Sequence, residues 1–452
     1  MSLGRLGVVG GGLAGMSAAL AAADAGADVV LFERRETLGG LTSSIERNGL
    51  VFDNGQHVFL RCCTSYLDFL ERIGARELVH LQRRLDVPVL SPSGTRSSLR
   101  RHRLPAPLHL GWALATYRHL GARDRVGLVR AALALRALDV DDPRLDQSTF
   151  ESWLREHGQS PAAIAGLWDL ITLPTVNLHA SESSLALATK VFREGLLDHA
   201  DSGDVGWSRV PLATLHGVHG ARALDAVGVA VRAGESVREI EPSSSRGIVV
   251  HLADGEVALD AVVVATPPAT AAALGVADAV GPASRLGSSP IVNIHLVYDR
   301  QVCDLEMFAA IDSPVQFVFD RTASSGLQAG QCLALSLSAA SSYMSQGSGQ
   351  LVEFFADALQ SLLPEARSER LVESQVTRER AATFRGVPGS SAWRPAAVTS
   401  TPGVFLAGAW CATGWPATME GAVRSGDDAA RQALAWLEGR PARAAVSLGA
   451  RP

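Results

Sequence analysis

Gly10, Gly12 and Gly15 are the first residues of this chain whose type and spacing could do chemistry. They stand in Gly10-Gly11-Gly12-Leu13-Ala14-Gly15, between the apolar strand Leu6–Val9 and an alanine-rich helical run from Met16 to about Ala25. In such a pattern the first glycine permits a tight turn, the second lets backbone approach a pyrophosphate, and the third lets helix pack on strand. The N–H groups at the helix start, from Leu13 and Ala14, then face the phosphates, where the helix dipole favours negative charge. A second strand, Asp28–Phe32, ends at Glu33 and Arg34, at about the spacing where an acidic side chain binds ribose hydroxyls. Leu38-Gly39-Gly40-Leu41-Thr42 follows and brings the chain back over the pyrophosphate. An acidic residue followed shortly by a Gly-Gly pair is the habit of folds that bind FAD in the glutathione-reductase manner. The residues therefore predict non-covalent FAD on Gly10, Gly12, Leu13, Ala14, Gly15, Glu33, Arg34, Gly39, Gly40 and Leu41. No second G-x-G-x-x-G is visible. Reducing equivalents are thus expected from substrate or from an external electron donor.

Several later segments must complete this fold. Ser236–Ile240, with Val237, reads as a short alternating strand returning to the same sheet, followed by Gly247–His251. Ala261–Ala265, stopping at Thr266-Pro267-Pro268, reads as a buried parallel strand at a sheet edge beside a ligand crevice. Val404–Ala407 is another buried strand. Gly408, a loop with Trp410 and Trp415, and a helix opening at Met419-Glu420-Gly421-Ala422 come after it. That helix start would present N–H groups to the N1–C2=O edge of a flavin, where charge gathers on reduction. The expected class is α/β: a glutathione-reductase-type FAD-binding Rossmann-like domain from 1–85, 210–290 and 395–440, and a discontinuous α+β substrate domain from 86–209 and 291–394, with a flexible tail at 441–452. His109–Leu138 alternates apolar runs with arginines and reads as an amphipathic helix pair, facing either the core or a membrane surface.

Composition narrows the partners. The 452 residues are 47% hydrophobic and 19% charged, which suits two packed domains. A net charge of -5 gives no reason to expect nucleic acid. Five cysteines lack C-x-x-C or zinc spacing, so reduced thiols in a cytoplasmic protein and no metal site are expected. The N-terminus runs straight into a strand, with nothing like a signal peptide, and no stretch of about 18 uninterrupted apolar residues suits a membrane span. Peripheral contact with a membrane stays open.

With these pieces in view, the chain resembles the flavin-containing amine oxidase and phytoene desaturase superfamily through Gly10, Gly12, Gly15, Glu33, Gly39-Gly40, the Val237 strand and Gly408…Met419-Glu420-Gly421-Ala422-Val423. It is closer still to the branch of squalene-associated FAD-dependent desaturases, or hydroxysqualene dehydroxylases. The features of that branch are Asp53-Asn54-Gly55-Gln56-His57, Arg209-Val210-Pro211-Leu212 and Thr413 to Gly426. Leu41 and Ala409 depart from the superfamily, many members having arginine and an acidic residue there. The resemblance implies an enzyme of squalene and hopanoid synthesis that loses the hydroxyl of hydroxysqualene, an apolar C30 isoprenoid, using reduced FAD.

Its chemistry needs a proton donor for the leaving hydroxide. His57 is the candidate, with Asp53 and Gln56 to orient it or to touch the flavin; Gly55, Gln56 and His57 could equally meet the flavin through backbone alone. Asp169 and Asn177 are lesser candidates. Rival readings are a carotenoid-type desaturase, an amine oxidase, and a flavin-binding scaffold of a squalene-synthesising complex. The sole lysine, Lys190, and four tyrosines are poor material for the amine oxidase.

Overall fold

The computed structural model describes residues 3–243 and 247–439; the expected tail at 441–452 lies outside them. The strand β1 (Arg5–Val9), the helix α1 (Leu13–Asp24) and the strand β2 (Asp28–Glu33) form the opening βαβ unit. The two strands belong to a five-stranded sheet in the order Ala230–Ala233, β2, β1, Ala261–Val264, Val404–Leu406. Every pairing in it is parallel.

Strand side chains alternate between two apolar layers, which is why these strands read as unbroken apolar runs. Leu6, Val8, Val29, Leu31 and Val263 face α1 and the long helix Met419–Glu438. Val9, Val30, Phe32, Val262 and Val264 face the opposite way, towards Ile240, Val250 and Leu274.

Two expectations fail here. Glu239–Ser243, not Ser236–Ile240, is the strand, and it belongs to a separate antiparallel meander with Gly247–Leu252 and Gly255–Leu259. The outer place in the parallel sheet is taken by Ala230–Ala233, and Val237 lies in the connection between the two. Ala261–Val264 is also no edge, since β1 and Val404–Leu406 flank it. A strand that is apolar on both faces is stable only with neighbours on both sides.

A seven-stranded sheet forms the second body. Its order is Leu371–Thr383, Ser289–Tyr298, Gln331–Leu337, Phe317–Asp320, Met307–Ala310, Asp86–Leu90, Arg96–Arg100. The helix α2 (Thr64–Arg72) packs beside the parallel sheet, whereas α3 (Gly111–Ala115) and α4 (Ala122–Arg136) lie with the later helices around Tyr117, Phe150, Trp153 and Trp168. Only one face of α4, through Leu128, Ala131 and Leu135, reaches that core. Among the described residues, no helix is long and apolar enough to cross a membrane.

Candidate active site

The glycine turn is built by exclusion. Gly10 has φ +107°, and a Cβ there would lie 2.7 Å from the Ala265 carbonyl oxygen. At Gly15 a Cβ would lie 1.9 Å from the Gly10 carbonyl oxygen, so only glycine lets α1 start this close to β1. Gly12 differs: a Cβ there would meet only the Gly40 Cα, at 3.8 Å, because the two glycine turns run side by side. Gly12 bridges Gly39, and the Gly39 N–H donates to the Gly11 carbonyl at 2.9 Å. Gly12 also lacks a side chain to cap α1, which leaves the first N–H groups, at Leu13 and Ala14, open to a ligand.

Glu33 is buried and, among the described residues, has no cation against it. Its carboxylate accepts the Gly11 N–H at 2.7 Å and the Arg35 N–H at 2.9 Å, one on each oxygen, leaving lone pairs for hydroxyl donors. Arg34 and Leu41 are exposed, and Arg35 rather than Arg34 reaches back to the Gly40 carbonyl, at 3.1 Å. Val237 is carried past this end by the Glu235 N–H, which donates to the Glu33 carbonyl at 3.0 Å. Behind Gly10, the Thr266 hydroxyl is buried without a partner among the described residues. A glycine cradle, a buried carboxylate with spare lone pairs and an orphaned hydroxyl fit the two halves of a dinucleotide.

From the cradle the chain leads to His57. Asn54 donates from Nδ2 to the Leu41 carbonyl at 3.3 Å, while its own carbonyl accepts from Thr377 Oγ1 at 2.7 Å and Asn293 Nδ2 at 3.2 Å. The 53–57 loop is thus pinned between the Gly39–Thr42 turn and the seven-stranded sheet. Gly55 is held within that pinned stretch, where a Cβ would press on Asn293 at 3.3 Å.

Asp53 has a different job from the catalytic one expected. Oδ2 pairs with buried Arg321 at 2.8 Å, and Oδ1 accepts from Ser44 Oγ at 2.7 Å and the Leu212 N–H at 2.9 Å. Arg321 also donates to the Ser208 carbonyl at 2.5 Å. One ion pair therefore locks the 53–57 loop to the 208–212 segment. His57 Nδ1 lies 3.1 Å from the Gly55 carbonyl, so that carbonyl, and neither Asp53 nor Gln56, orients the ring. Gln56 is held through its backbone N–H on Asn293 at 3.3 Å, and its Nε2 is buried without a partner.

Burial holds the His57 imidazole below its ordinary range, against the raising pull of Gly55 and Asp53. A second histidine, His216, feels His57 electrostatically. It sits on a π-helical turn, Ala213–Val218, and burial drives it down to about 3. Its Nε2 lies 2.8 Å from the Tyr66 hydroxyl, and its Nδ1 has no partner. Sequence reasoning missed Tyr66, His216, Asn293, His295 and Arg321. The only signal was a lone histidine in the apolar run Leu212–Val218. Asp169 and Asn177 hold backbone: Asp169 accepts the Ala180 N–H at 2.7 Å, and Asn177 ties the Ser289 carbonyl and the Ala339 N–H.

The last segment closes the site. Trp410 donates from its indole to the Thr266 carbonyl at 3.1 Å, and its ring fills the space a Cβ on Gly408 would need. Trp415 is buried, with Arg424 and Lys190 over its ring at 5.1 and 5.4 Å. The sole lysine is further committed to Glu194 at 2.6 Å. Met419 and Ala422 stand in the first turn of the final helix, where Glu420 accepts the Tyr66 N–H at 2.7 Å and so caps α2. Burial pushes the Cys411 thiol up to about 12, which keeps it un-nucleophilic.

Three comparisons bear on this arrangement. The chain matches the flavin containing amine oxidoreductase family over residues 13–434. It is 27% identical to the hydroxysqualene dehydroxylase of Zymomonas mobilis over 94% of this chain and 98% of that protein, and 27% identical to that of Rhodopseudomonas palustris over 95% and 98%. Among solved structures, cyclohexylamine oxidase from Brevibacterium oxydans superposes with a TM-score of 0.74 at 18% identity, covering 96% of this chain and 99% of that one.

Proposed function

Because the chain belongs to the flavin containing amine oxidoreductase family and is therefore an FAD-dependent oxidoreductase, we propose that it reductively dehydroxylates hydroxysqualene to squalene. The observation that carries this reading is similarity to hydroxysqualene dehydroxylases along nearly the whole of both chains.

The carbon–oxygen bond to be broken is allylic, so its loss leaves a delocalised cation. Reduced FAD, when bound, supplies the hydride. The balance is one alcohol, one hydride and one proton giving one hydrocarbon and one water, with both electrons arriving as hydride.

The Gly12–Gly39 cradle, Leu13, Ala14 and Glu33 would hold the dinucleotide, with Thr266 and the Met419 helix start at its other reaches. The Gly55 carbonyl accepts from His57 Nδ1–H, which fixes the tautomer and leaves Nε2 to take up and deliver the proton that hydroxide needs. His216 stays neutral and keeps a second positive charge away from the cation. With its lysine tied to Glu194 and Trp415, the site offers no free amine to trap a carbocation.

Anaerobic mixing of photoreduced holoenzyme with hydroxysqualene tests the reading. Flavin reoxidation with stoichiometric squalene is expected. An unchanged flavin spectrum overturns it. Reduction of the oxidised enzyme by a carotene-series polyprene would place the reaction among the desaturases instead.

A further inference from the structure

The outward face of α3 and α4 is apolar where a surface helix is ordinarily polar. Leu108 and Trp112 are 61% and 64% exposed, and Val126, Val129 and Leu133 on α4 are 54%, 41% and 51% exposed. The last three follow helical spacing of three and four, so they form one stripe opposite the inward Leu128, Ala131 and Leu135. The stripe is rimmed by cations. Residues 96–136 hold nine arginines and a single acidic residue, Asp124, in a chain whose net charge is -5. Asp124 is turned aside by the Ser160 hydroxyl at 2.8 Å. Arg103, Arg118, Arg123 and Arg130 are exposed and, among the described residues, form no salt bridge.

A second copy of the chain is a poor occupant for this face, since a twofold contact would lay the arginines of one copy on those of the other. An apolar stripe flanked by cations matches the boundary between acyl chains and anionic headgroups. We propose that α3 and α4 dock the protein on an anionic lipid surface, with Leu108, Trp112 and the α4 stripe inserted and the four arginines on headgroup phosphates. The inference rests on this surface alone and not on the substrate assigned above.

Cosedimentation of holoenzyme with vesicles of phosphatidylcholine, with and without about one-third phosphatidylserine, tests it. Binding is expected on the anionic vesicles and falls as salt is raised. Arg123→Gln with Arg130→Gln should weaken it by about fivefold for each cation removed, and Trp112→Ser with Leu133→Ser by about tenfold or more. Flavin absorbance and Tm in these exposed-site variants report that the fold is intact. Lack of binding by the parent protein overturns the proposal, as does binding indifferent to both variant pairs. A soluble dimer that the Trp112→Ser, Leu133→Ser variant dissolves would assign the face to a second copy.

Discussion

At His57 the decisive feature is a tautomer. An imidazole buried below its ordinary pKa and donating from Nδ1 is neutral at rest, so the acid role proposed for it requires Nε2 first to take up a proton. His57→Ala should retain FAD absorbance and lose turnover by about 10²- to 10⁴-fold, the usual range for a positioned acid or base. A variant that keeps most of the parent rate would leave only a backbone role for the loop. Asp53 shows what the sequence could not convey at this scale. Four positions from His57, it looked like an orienting partner, yet its carboxylate is taken by Arg321, 268 residues further on. Adjacency along a strand end says nothing about which way a side chain points. The glycines were legible because their constraint is local, a turn that excludes any Cβ.

Between elements, the crossing of α1 with the helix Met419–Glu438 sets the geometry of the cradle. A Cβ on Gly426 would lie 2.2 Å from the Ala14 carbonyl oxygen and 2.9 Å from the Ser17 Cβ. Gly426→Val must therefore push the helices apart, at a cost of about 1–3 kcal/mol for overpacking. Both Tm and FAD affinity should fall, since Ala14 stands in the first turn of α1, the turn proposed above to hold the dinucleotide. Gly349→Ala, where a Cβ meets nothing within 4 Å, is the control and should hold or gain stability. A Gly426→Val protein with parent FAD affinity would break the link between crossing and cradle. Strand assignment shows the limit of pattern at this scale. Ser236–Ile240 alternated convincingly, but alternation marks a half-buried strand of any sheet. Ala230–Ala233 completes the parallel sheet with four residues and leaves no run long enough to read.

Across the whole molecule, buried neutral histidines make stability depend on pH. His216 and His295 are held down to about 3 and about 4, chiefly by burial. In the unfolded chain both titrate near 6.5. Below that value the unfolded state takes up protons that the folded state refuses. Their contribution is thus intact above about pH 6.5 and is lost as pH falls towards the folded values, at up to about 1.4 kcal/mol per pH unit for each. Chemical denaturation from pH 7.5 to 5 should show this decline, and His295→Gln should flatten it. Equal slopes in parent and variant would mean that His295 is not buried neutral. Single elements of the fold were legible as segments, because apolar runs and punctuating glycines recur along the chain. Their joining was not, since Arg321, Asn293 and His295 act on the 53–57 loop from across more than 230 residues.

The parallel sheet that begins at residue 5 takes its final strand from Val404–Leu406. At about 5–20 residues per second, translation needs roughly 20–80 seconds to travel that distance. Until Ala261–Val264 emerges, β1 lacks its neighbour on one side, and from then until Val404–Leu406 emerges Ala261–Val264 is the open edge. Completion of the sheet is therefore a late event in synthesis, and the open edge strand must be kept from pairing elsewhere until Val404–Leu406 has emerged.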